Sequence, residues 1–547
     1  MRKVSGWMQI AAAVISGLLV AGLFPPFDLP CLVWVAMIPL LAALGTVKGK
    51  RMGWKGFGIG YLAGLVSSLV QVQWLGTVSW LGVVLLSLYL AIYWGLFGAF
   101  VASFRAPRSA LRTSFCYAAV WAGLEWLRGW LFTGFGWNGL GVAFHESPVM
   151  AQGADLLGVT GLSLMVVFVQ AMVLQAVWRR GEPRVGWNLG VVVALVAGLY
   201  GYGKWRIATE SRAESARLKT LLVQINIPQD AARVLWTDLE IHQAYEEETL
   251  NALSGLKAAD GTPSAQWPDW VMWPECALTG RIIRTNEGEW GTWQINLDTL
   301  AQVRKAGPFS LIYGVNELEA EKMGENLQPK PQGHAYNSIA VMSPTDELET
   351  YRKRHLVIFG ETIPFVDTFP LLKKIYEQQA GVEFGGSFTP GESLEPLPIA
   401  AGATMLGAIP SVCFEDTVGR LTRKFLRSGP QVIINVTNDG WFKESAAAAQ
   451  HFANARFRAI ELRRPMLRCA NSGVSAAIDS KGMAQQLVDA GGSHFTRGSL
   501  LTELKIPLRP SISLYAWIGD WGILFLAVAG LILAFWNRKS DAAASVE

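Results

Sequence analysis

The strongest constraint on this chain is a series of apolar stretches, each long enough to cross a membrane. A helix needs roughly 20 mostly apolar residues to span a bilayer. Seven such stretches fall in residues 1–205, and one more lies near the carboxyl end. A cleaved signal peptide is not expected, because the first stretch lacks a clear small-residue cleavage site and other spans follow it. The predicted spans are 7–24, 31–47, 57–74, 80–104, 113–133, 157–178, 187–203 and 515–536.

The composition is typical of a membrane protein. Hydrophobic residues make up 51% of the chain and charged residues 16%, which is too apolar for an ordinary soluble protein. The 23 tryptophans favour a chain with many bilayer interfaces, where indole rings concentrate. Lys and Arg form no basic stripe, so we expect no nucleic-acid partner.

The loop charges predict an orientation. Lys and Arg occupy alternate loops, whereas the loops at 25–30, 75–79 and 134–156 contain neither. The positive-inside rule then puts both termini in the cytoplasm and residues 206–514 on the other side, in a periplasm-like space. The basic loop residues are Arg2, Lys3, Lys48, Lys50, Arg51, Lys55, Arg105, Arg108, Arg112, Arg179, Arg180, Arg184, Arg538 and Lys539.

Two ionisable residues interrupt the fifth predicted span. Glu125 and Arg128 are three residues apart, so they share one helical face. They either satisfy each other and brace the bundle, or they contact a headgroup or an entering substrate near the outer surface. Gln71 and Gln73 permit the same two interpretations.

Residues 206–514 have the pattern of one large α/β domain, with helices around packed sheets. Apolar runs that suit buried strands alternate there with helical segments. A seven-helix bundle at 1–205 precedes this domain, and a last span with a cytoplasmic tail at 515–547 follows it. The predicted strands are LKTLLVQINI, PDWVMWPE, FSLIYGVNE, NSIAVMSP, TMLGAIPSVCFE, QVIINVTND and VSAAIDS; the predicted helices are TDLEIHQAYEEETLNALSGL, INLDTLAQVRKA, VGRLTRKFLRSG and HFANARFRAIELRRP; EAEKMGENLQPKPQGH is a predicted exposed loop.

Three segments of this domain carry candidate catalytic side chains. Glu275 follows a strand in WPECAL, Lys353 begins the basic part of YRKRHLVIFGE, and Cys413 ends an apolar strand in SVCFED. A thiol at a strand-to-helix turn suits a nucleophile, since a helix N-terminus stabilises a thiolate. A carboxylate in a dry pocket can act as its base, because burial raises the carboxyl pKa. A lysine can stabilise the oxyanion that forms after attack.

Each of these residues alone also has a purely structural interpretation. A cysteine in an apolar strand usually belongs to the core, and we expect Cys276 and Cys469 to pack as small hydrophobic residues. Five cysteines without a CxxC pair do not indicate a disulfide framework. The six histidines lack metal-ligand spacing, so we expect neither a metal nor a cofactor.

Taken together, the motifs resemble the nitrilase, or carbon–nitrogen hydrolase, superfamily, whose members use Glu, Lys and Cys in this chain order. With a polytopic membrane bundle attached, nearly the whole chain resembles the apolipoprotein N-acyltransferase family. This resemblance implies an αββα catalytic domain that faces the periplasm, in a multi-pass protein of the bacterial inner membrane. The matching stretches are VQINIPQ, WPECAL, YNSIAVM, YRKRHLVIFGE, CFED, NVTNDGWF and QHFANARFRAIELRRPMLRCANSGVSAAID.

The resemblance also implies a role for each candidate residue. Glu275 is the general base, Lys353 the oxyanion stabiliser and Cys413 the nucleophile. The sequence departs from the family pattern at Ile358, where Pro is usual, and after the cysteine, where Tyr is common. The supporting residues are Glu361, a second glutamate, Phe414, for its backbone N–H, and Glu415, a structural neighbour; the substrate-binding candidates are Trp236, near the lipid, and Asn438 and Trp441, which shape either the pocket or a simple turn.

The implied reaction moves an acyl chain from a membrane phospholipid, through a Cys thioester, to the α-amine of the N-terminal diacylglyceryl-cysteine of an apolipoprotein. The implied partners are the phospholipid donor, the diacylated apolipoprotein acceptor and the bilayer. A membrane-tethered amidase or lipid hydrolase is an alternative, although a tether needs only one span. A non-catalytic partner of a polyprenyl-phosphate glycosyltransferase is another, although the triad is intact. A transporter is disfavoured by the small number of intramembrane charges.

Overall fold

The computed structural model describes residues 5–104, 109–363, 366, 368–380 and 386–543. Its contacts divide the chain into two units. The first comprises Met1–Ser211, Ile460–Leu462 and Ile512–Glu547, and the second comprises Arg212–Ala459 and Arg463–Ser511. The basic loop residues Arg2, Lys3, Arg105 and Arg108 lie outside the described residues.

Helices are numbered along the chain: α1 Gly6–Ala21, α2 Ile38–Gly45, α3 Met52–Gln71, α4 Trp80–Ser103, α5 Ala110–Arg128, α6 Pro148–Ala151, α7 Ala154–Trp178, α8 Val185–Glu210, α9 Asp238–Ser254, α10 Gln294–Arg304, α11 Pro370–Ala380, α12 Gly419–Thr422, α13 Ala446–Ala455, α14 Phe457–Leu462, α15 Leu514–Ile518 and α16 Trp521–Ala543.

Strands are numbered likewise: β1 Ser215–Gln224, β2 Gln229–Asp230, β3 Arg233–Val234, β4 Trp270–Met272, β5 Ile282–Arg284, β6 Trp290–Thr292, β7 Ser310–Met323, β8 Asn326–Pro329, β9 Ala335–Met342, β10 Leu348–Arg352, β11 Leu397–Ala401, β12 Thr404–Val412, β13 Gln431–Thr437, β14 Met466–Ala470, β15 Ala476–Ile478, β16 Ala484–Gln486 and β17 Gly498–Pro507.

The first unit is helical. By length and composition, α4, α7 and α8 are able to cross a membrane, and shorter apolar helical segments lie at Gly6–Ala21, Pro30–Gly45 and Trp521–Trp536 among the described residues. Several predicted spans are interrupted, among them 515–536, which divides into α15 and α16. The second span begins as a 3₁₀ helix before α2, near two prolines that lack the N–H a continuous helix needs. Helix α7 breaks at Gly158, whose φ is +70°, and regular geometry resumes one residue later.

Small residues let helices of this unit pack closely. Gly56, Gly60 and Gly64 recur every fourth residue on α3 and face α4. A Cβ on Gly60 would lie 2.2 Å from the carbonyl oxygen of Trp94, and one on Gly56 would lie 2.3 Å from that of Gly98. Glycine therefore allows the two backbones to touch, as small residues do at helix contacts within membranes.

The second unit contains two sheets that confirm the predicted α/β class. The larger has the order β10-β9-β7-β4-β1-β17, with β5, β6 and β8 joined through β7. The smaller has the order β11-β12-β13-β14-β15-β16. Strands β1, β4 and β7 are parallel, as are β12, β13 and β14, and β5 also pairs parallel with β7. The other pairs of these two sheets are antiparallel.

Strand alternation assigns each face of the larger sheet. Val271 and Trp273 belong to one buried apolar cluster with residues of α9 and α10, so the helices cover that face. Trp270 and Met272 point the other way, because side chains alternate along a strand. The Trp270 indole N–H donates to Ala400 of the smaller sheet at 2.7 Å, so the sheets pack face to face.

Two sequence-based predictions in this unit are wrong in detail. The predicted loop at 319–334 is largely a hairpin, because β7 continues to Met323 and pairs with β8 across a turn where Gly324 has φ +63°. The predicted helix at 418–429 reduces to α12 and one 3₁₀ turn. The Arg427 N–H donates to the Gln431 side chain at 2.9 Å instead of continuing a helix.

Candidate active site

Three strand ends supply the residues of the candidate site. Glu275 follows β4 by three residues, Lys353 follows β10 directly, and Cys413 follows β12 directly. Strands β4 and β10 belong to the larger sheet and β12 to the smaller. Carboxyl ends of parallel strands are where α/β proteins usually place ligands, since side chains there are held by the sheet yet free to face a crevice.

A close backbone contact holds the Glu275 turn. The Gly314 N–H in β7 donates to the Pro274 carbonyl at 3.0 Å, and the Gly314 carbonyl accepts from Ala277 at 2.9 Å. A Cβ on Gly314 would lie 2.5 Å from the Cα of Glu275. The strand therefore needs glycine at this position to let the carboxylate turn lie against it.

Lys353 joins two glutamates in a buried cluster. Its Nζ lies 2.8 Å from Oε2 of Glu361 and 3.8 Å from Oε1 of Glu275. Asn337 spans the same two carboxylates, because its side-chain amide is 2.7 Å from an oxygen of each. The Val357 N–H donates to Glu361 at 2.9 Å, which fixes the far end of the cluster.

Sequence reasoning missed Asn337. The residue lies in β9, inside the YNSIAVM stretch, which the sequence pattern predicts only as a strand. A buried asparagine in an apolar strand is a usable signal, since a buried amide requires partners. The sequence alone does not reveal that those partners are the two glutamates, which are 62 and 24 residues away along the chain.

Cys413 completes the cluster. Its thiol lies close enough to interact electrostatically with Glu275 and Lys353. The residue has φ +51°, in the left-handed region that non-glycine residues seldom occupy. Asn435 supports this backbone by donating to the Cys413 carbonyl at 3.2 Å. Strained backbone of this kind is found at functional sites more often than elsewhere, so the geometry favours a functional role for this turn.

Burial and charge set the protonation of the three groups. Burial raises the pKa of Glu275, although the Lys353 ammonium opposes the rise. Burial, together with the charge of Glu275, also raises the pKa of the Cys413 thiol well above its usual range. Burial lowers the pKa of Lys353, but Glu361 and Glu275 outweigh this and raise it. At neutral pH the site therefore holds a protonated thiol, a lysine cation and a carboxyl poised to exchange a proton.

Glu415 connects the segment that carries Lys353 to the turn that carries Cys413 through hydrogen bonds. Its carboxylate accepts the backbone N–H groups of Arg354 at 2.8 Å, His355 at 2.9 Å and Val412 at 2.8 Å. The Tyr351 hydroxyl donates to it at 3.1 Å. One side chain thus connects residues on both sides of Lys353 and Cys413, which suits the structural role predicted for it.

A second buried cluster lies beside the cysteine turn, and sequence reasoning missed it. The His451 ring lies 2.8 Å from Asp416 and 2.7 Å from Asp439. Arg468 lies 3.1 Å from Asp439 and 3.4 Å from Asp416. Burial lowers the pKa of His451, but the two aspartates outweigh it and raise that pKa to about 9. The negative charges of two carboxylates are therefore matched by two positive charges, next to the turn that carries Cys413.

The remaining predicted residues occupy different surroundings. Phe414 follows the cysteine, and its ring stacks on His355 with centroids 6.1 Å apart. Trp236 packs against the apolar core of the larger sheet. Asn438 accepts the Gly440 N–H at 3.1 Å, which gives the predicted turn. Trp441 lies, half-buried, in that turn. No hydrogen bond or ion pair joins the last three to the triad within the part of the chain that the structure describes, so their role in substrate binding stays a prediction.

The other two cysteines of this unit pack as expected. Cys469 is fully buried, and its thiol donates towards the Val223 and Met272 carbonyls at 3.4 and 3.3 Å. Cys276 is half-buried, with its sulfur 3.8 Å from Asn316. Across the described ranges, no group of three or more His, Cys, Asp or Glu side chains is arranged to hold a metal ion.

The fold and the site define the class of the second unit. Residues 222–506, more than half of the chain, match the family model described as Carbon-nitrogen hydrolase. The unit is therefore a carbon–nitrogen hydrolase domain, as the motifs predicted. Residues 16–172 match a second family model, described as Apolipoprotein N-acyltransferase N-terminal domain.

Full-length relatives narrow the family further. An apolipoprotein N-acyltransferase from Geobacter metallireducens is 31% identical over 96% of this chain and 95% of its own length. One from Bradyrhizobium diazoefficiens is 29% identical over 97% of this chain and 96% of its own. A solved carbon-nitrogen hydrolase from Helicobacter pylori G27 covers 53% of this chain and 89% of that chain, at 15% identity and a TM-score of 0.32. The chain belongs to the apolipoprotein N-acyltransferase family.

Proposed function

We propose that this protein transfers an acyl chain from a membrane phospholipid to the α-amine of an N-terminal diacylglyceryl-cysteine on apolipoproteins. The observation that carries the proposal is the buried cluster in which Lys353 lies 3.8 Å from Glu275 and both charges act on the Cys413 thiol. The relatives' names support lipoprotein N-acylation in general. The phospholipid donor and the thioester intermediate are our own inference from the site.

In the first half-reaction, Glu275 accepts the Cys413 proton as the sulfur attacks the ester carbonyl of the phospholipid. The tetrahedral oxyanion is stabilised by the Lys353 ammonium and the Phe414 backbone N–H. As the ester C–O bond breaks, the lysophospholipid oxygen takes the proton back from Glu275. An acyl thioester remains on Cys413.

In the second half-reaction, the free amine of the acceptor attacks the thioester carbonyl. Glu275 accepts a proton from the attacking nitrogen, and the C–S bond breaks. The proton returns to the sulfur, so Cys413 is restored and the acceptor carries an amide. In this cycle Glu361 and Asn337 hold Lys353 and Glu275 in place.

We further propose the membrane arrangement given by the loop charges. The chain crosses the bacterial inner membrane about eight times, with residues 1–205 as a bundle and 515–547 as a last span and tail. Residues 206–514 then face the periplasm. A periplasm-active reporter fused after residue 206 should be active, whereas one fused at 179–184 should not. The reverse pattern would contradict this orientation.

An acyltransferase and a lipid hydrolase differ in the group that attacks the thioester: the amine of the acceptor in the first, and water in the second. Purified protein is incubated with phospholipid, and mass spectrometry locates the acyl adduct, which we expect on Cys413. The adduct should persist until a diacylglyceryl peptide with a free N-terminal cysteine is added. Cys276→Ala and Cys469→Ala should behave as the parent does. Rapid release of free fatty acid without the peptide would instead identify a lipid hydrolase.

A further inference from the structure

The strand beside Cys413 carries a buried threonine that the proposed cycle does not use. Val412 pairs with Val436 across the parallel strands β12 and β13, so Cys413 and Thr437 are the next residues along these two strands. Thr437 is fully buried. Its hydroxyl has no hydrogen-bond partner in the part of the chain that the structure describes. The hydroxyl is therefore available to a group that changes its charge during the reaction.

The face of β13 that carries Thr437 meets the turn that carries Cys413. Side chains two residues apart on a strand share a face, so Asn435 and Thr437 point to the same side. The Asn435 amide donates to the Ser411 hydroxyl and to the Cys413 carbonyl, both at 3.2 Å. Thr437 is the next residue on that face, and its side chain acts to lower the pKa of the Cys413 thiol. The hydroxyl and the sulfur are therefore neighbours.

Burial without a partner is not sufficient to assign a role to this hydroxyl. A buried hydroxyl that forms no hydrogen bond lowers stability, and valine has the same branched shape without that cost. Thr220, in β1 of the larger sheet, is also fully buried and also has a hydroxyl without a partner among the described residues. Thr437 differs from Thr220 because its neighbour is the Cys413 thiol, whose charge changes when it reacts.

The surroundings of Cys413 leave its thiolate in need of a stabilising group. Burial and the charges of Glu275 and Asp439 raise the pKa of the thiol, and the Lys353 cation opposes them. The helix expected after the cysteine is only a five-residue 3₁₀ turn, so few aligned peptide dipoles face the sulfur. Hydrogen bonds to an ionised acceptor are roughly twice as strong as those to a neutral one. A hydroxyl beside the sulfur therefore acts mainly on the thiolate.

We propose that the Thr437 hydroxyl donates a hydrogen bond to the Cys413 sulfur whenever that sulfur carries negative charge. It does so when Glu275 has taken the thiol proton, and again when the C–S bond breaks and its electron pair moves to the sulfur. Thr437 keeps its own proton throughout, so the transferred proton still moves between the sulfur and Glu275. The contact with the thiolate requires no substrate, whereas the role in C–S cleavage rests on the proposed function.

Alkylation of Cys413 tests the contact without any acyl donor. The thiol is partly exposed, so iodoacetamide can reach it. Full-length protein in detergent is treated between about pH 7 and pH 10, and mass spectrometry of its peptides gives the rate at each cysteine. Thr437→Val should lower the Cys413 rate by about 3–10-fold at each pH, because the loss of thiolate outweighs the greater nucleophilicity of a less acidic thiol. Cys276, also partly exposed, is the internal control and should react as in the parent.

Further variants separate the hydroxyl from its packing. Thr437→Ser keeps the hydroxyl and widens the space beside the sulfur, so it should retain most of the parent rate. Thr220→Val makes the same substitution at the matched threonine of the larger sheet and should react as the parent does. The apparent melting temperature identifies the folded variants, and Thr437→Ala replaces Thr437→Val if the latter is poorly folded. An unchanged rate in the folded variant without the hydroxyl, or an equal loss in Thr437→Ser, would overturn the proposal.

Turnover tests the role of the hydroxyl in the cycle. With phospholipid and the acceptor peptide, Thr437→Val should lower kcat by about 10-fold and change the apparent KM little, because the hydroxyl contacts the reacting sulfur and not the substrate. Thr437→Ser should restore most of kcat. Slower alkylation with an unchanged kcat would contradict the role in C–S cleavage. Slower alkylation in Thr437→Val, with no acyl adduct in the parent, would contradict the proposed function and support the thiolate contact.

Discussion

Two buried clusters of charge lie within a few residues of each other in the α/β unit, and they are built on opposite principles. Around Cys413, one lysine faces two carboxylates, and a single asparagine bridges the two carboxylates. Around His451, two aspartates face a histidine and an arginine, so that charges of opposite sign match in number. Burial alone therefore does not mark a reactive site.

The difference is expressed in proton affinity. Burial raises the pKa of Glu275 and opposes its ionised form. Burial also acts to raise the pKa of Asp439, but Arg468 and His451 outweigh it, so that pKa is lowered. The proton affinity of Glu275 is therefore raised, whereas Asp439 is held in its ionised form. The first cluster is suited to chemistry and the second to holding the turn that carries Cys413.

The largest expected effect comes from removing the base. Glu275→Gln keeps the side-chain shape and deletes its basicity, so thioester formation should fall by about 10²–10⁴-fold. Stopped-flow or quenched mass spectrometry measures the rate. Glu289→Gln, in an exposed pair with Lys322, is the control and should be unaffected. A near-normal rate in Glu275→Gln would mean that another group is the base.

Removing a cation from the matched cluster should act mainly on stability. Arg468→Met leaves Asp416 and Asp439 facing one histidine, and breaking a buried pair in this way costs about 3–5 kcal/mol. The apparent melting temperature in detergent should fall by several degrees or more. The thioester rate per folded molecule should fall much less than in Glu275→Gln. Equal loss of rate in both variants would mean that the two clusters are one functional unit.

Lys353 should affect turnover more than binding. Its charge acts mostly on the oxyanion, which exists only after attack, so Lys353→Met should lower kcat by about 10²–10³-fold. The apparent KM for phospholipid should change little. Lys322→Met, on the exposed hairpin, serves as the control. If only KM changed, Lys353 would be a substrate contact and the triad assignment would need revision.

The smallest expected effect is a pH dependence of stability from His451. Its folded pKa of about 9 lies above the ordinary value of 6.5, so folding favours the protonated ring. That stabilisation is fully present below about pH 6.5 and is lost as the pH rises to about 9, for a total on the order of 1–3 kcal/mol. Melting temperatures across this range should fall more steeply in the parent than in His451→Asn. Parallel curves would contradict the assigned protonation.

Sequence patterns predicted the second unit well where a segment's environment is uniform along its length. The apolar runs that form β12 and β13 are buried along most or all of their length. A run of hydrophobic residues was therefore sufficient to predict each strand. The prediction failed at 319–334, where Lys, Glu and Gly suggested a loop. A hairpin whose end is exposed to solvent needs backbone pairing but few apolar residues. Its amino-acid composition therefore resembles that of a loop.

Motifs and their order along the chain were sufficient to predict the three candidate catalytic residues. They were not sufficient to predict the residues that hold these side chains in place. Glu275, Lys353 and Cys413 stand out because each lies in a distinctive stretch, and Glu275 and Cys413 also follow predicted strands. Asn337 and His451 have no such local mark. Their contacts join residues far apart in the chain, and no periodicity within one segment encodes a contact to another.

The sequence by itself determined which segments are apolar enough for helices or strands, and it indicated which short motifs carry the candidate nucleophile, base and cation. These properties depend on neighbouring residues, whose spacing can be read along the chain. Only the tertiary structure decided that Asn337 spans two carboxylates, and that Glu125 and Arg128 bind the loop after α5 instead of each other. Such pairings depend on distances in space, because hydrogen bonds and charges act over a few ångströms whatever their separation in sequence.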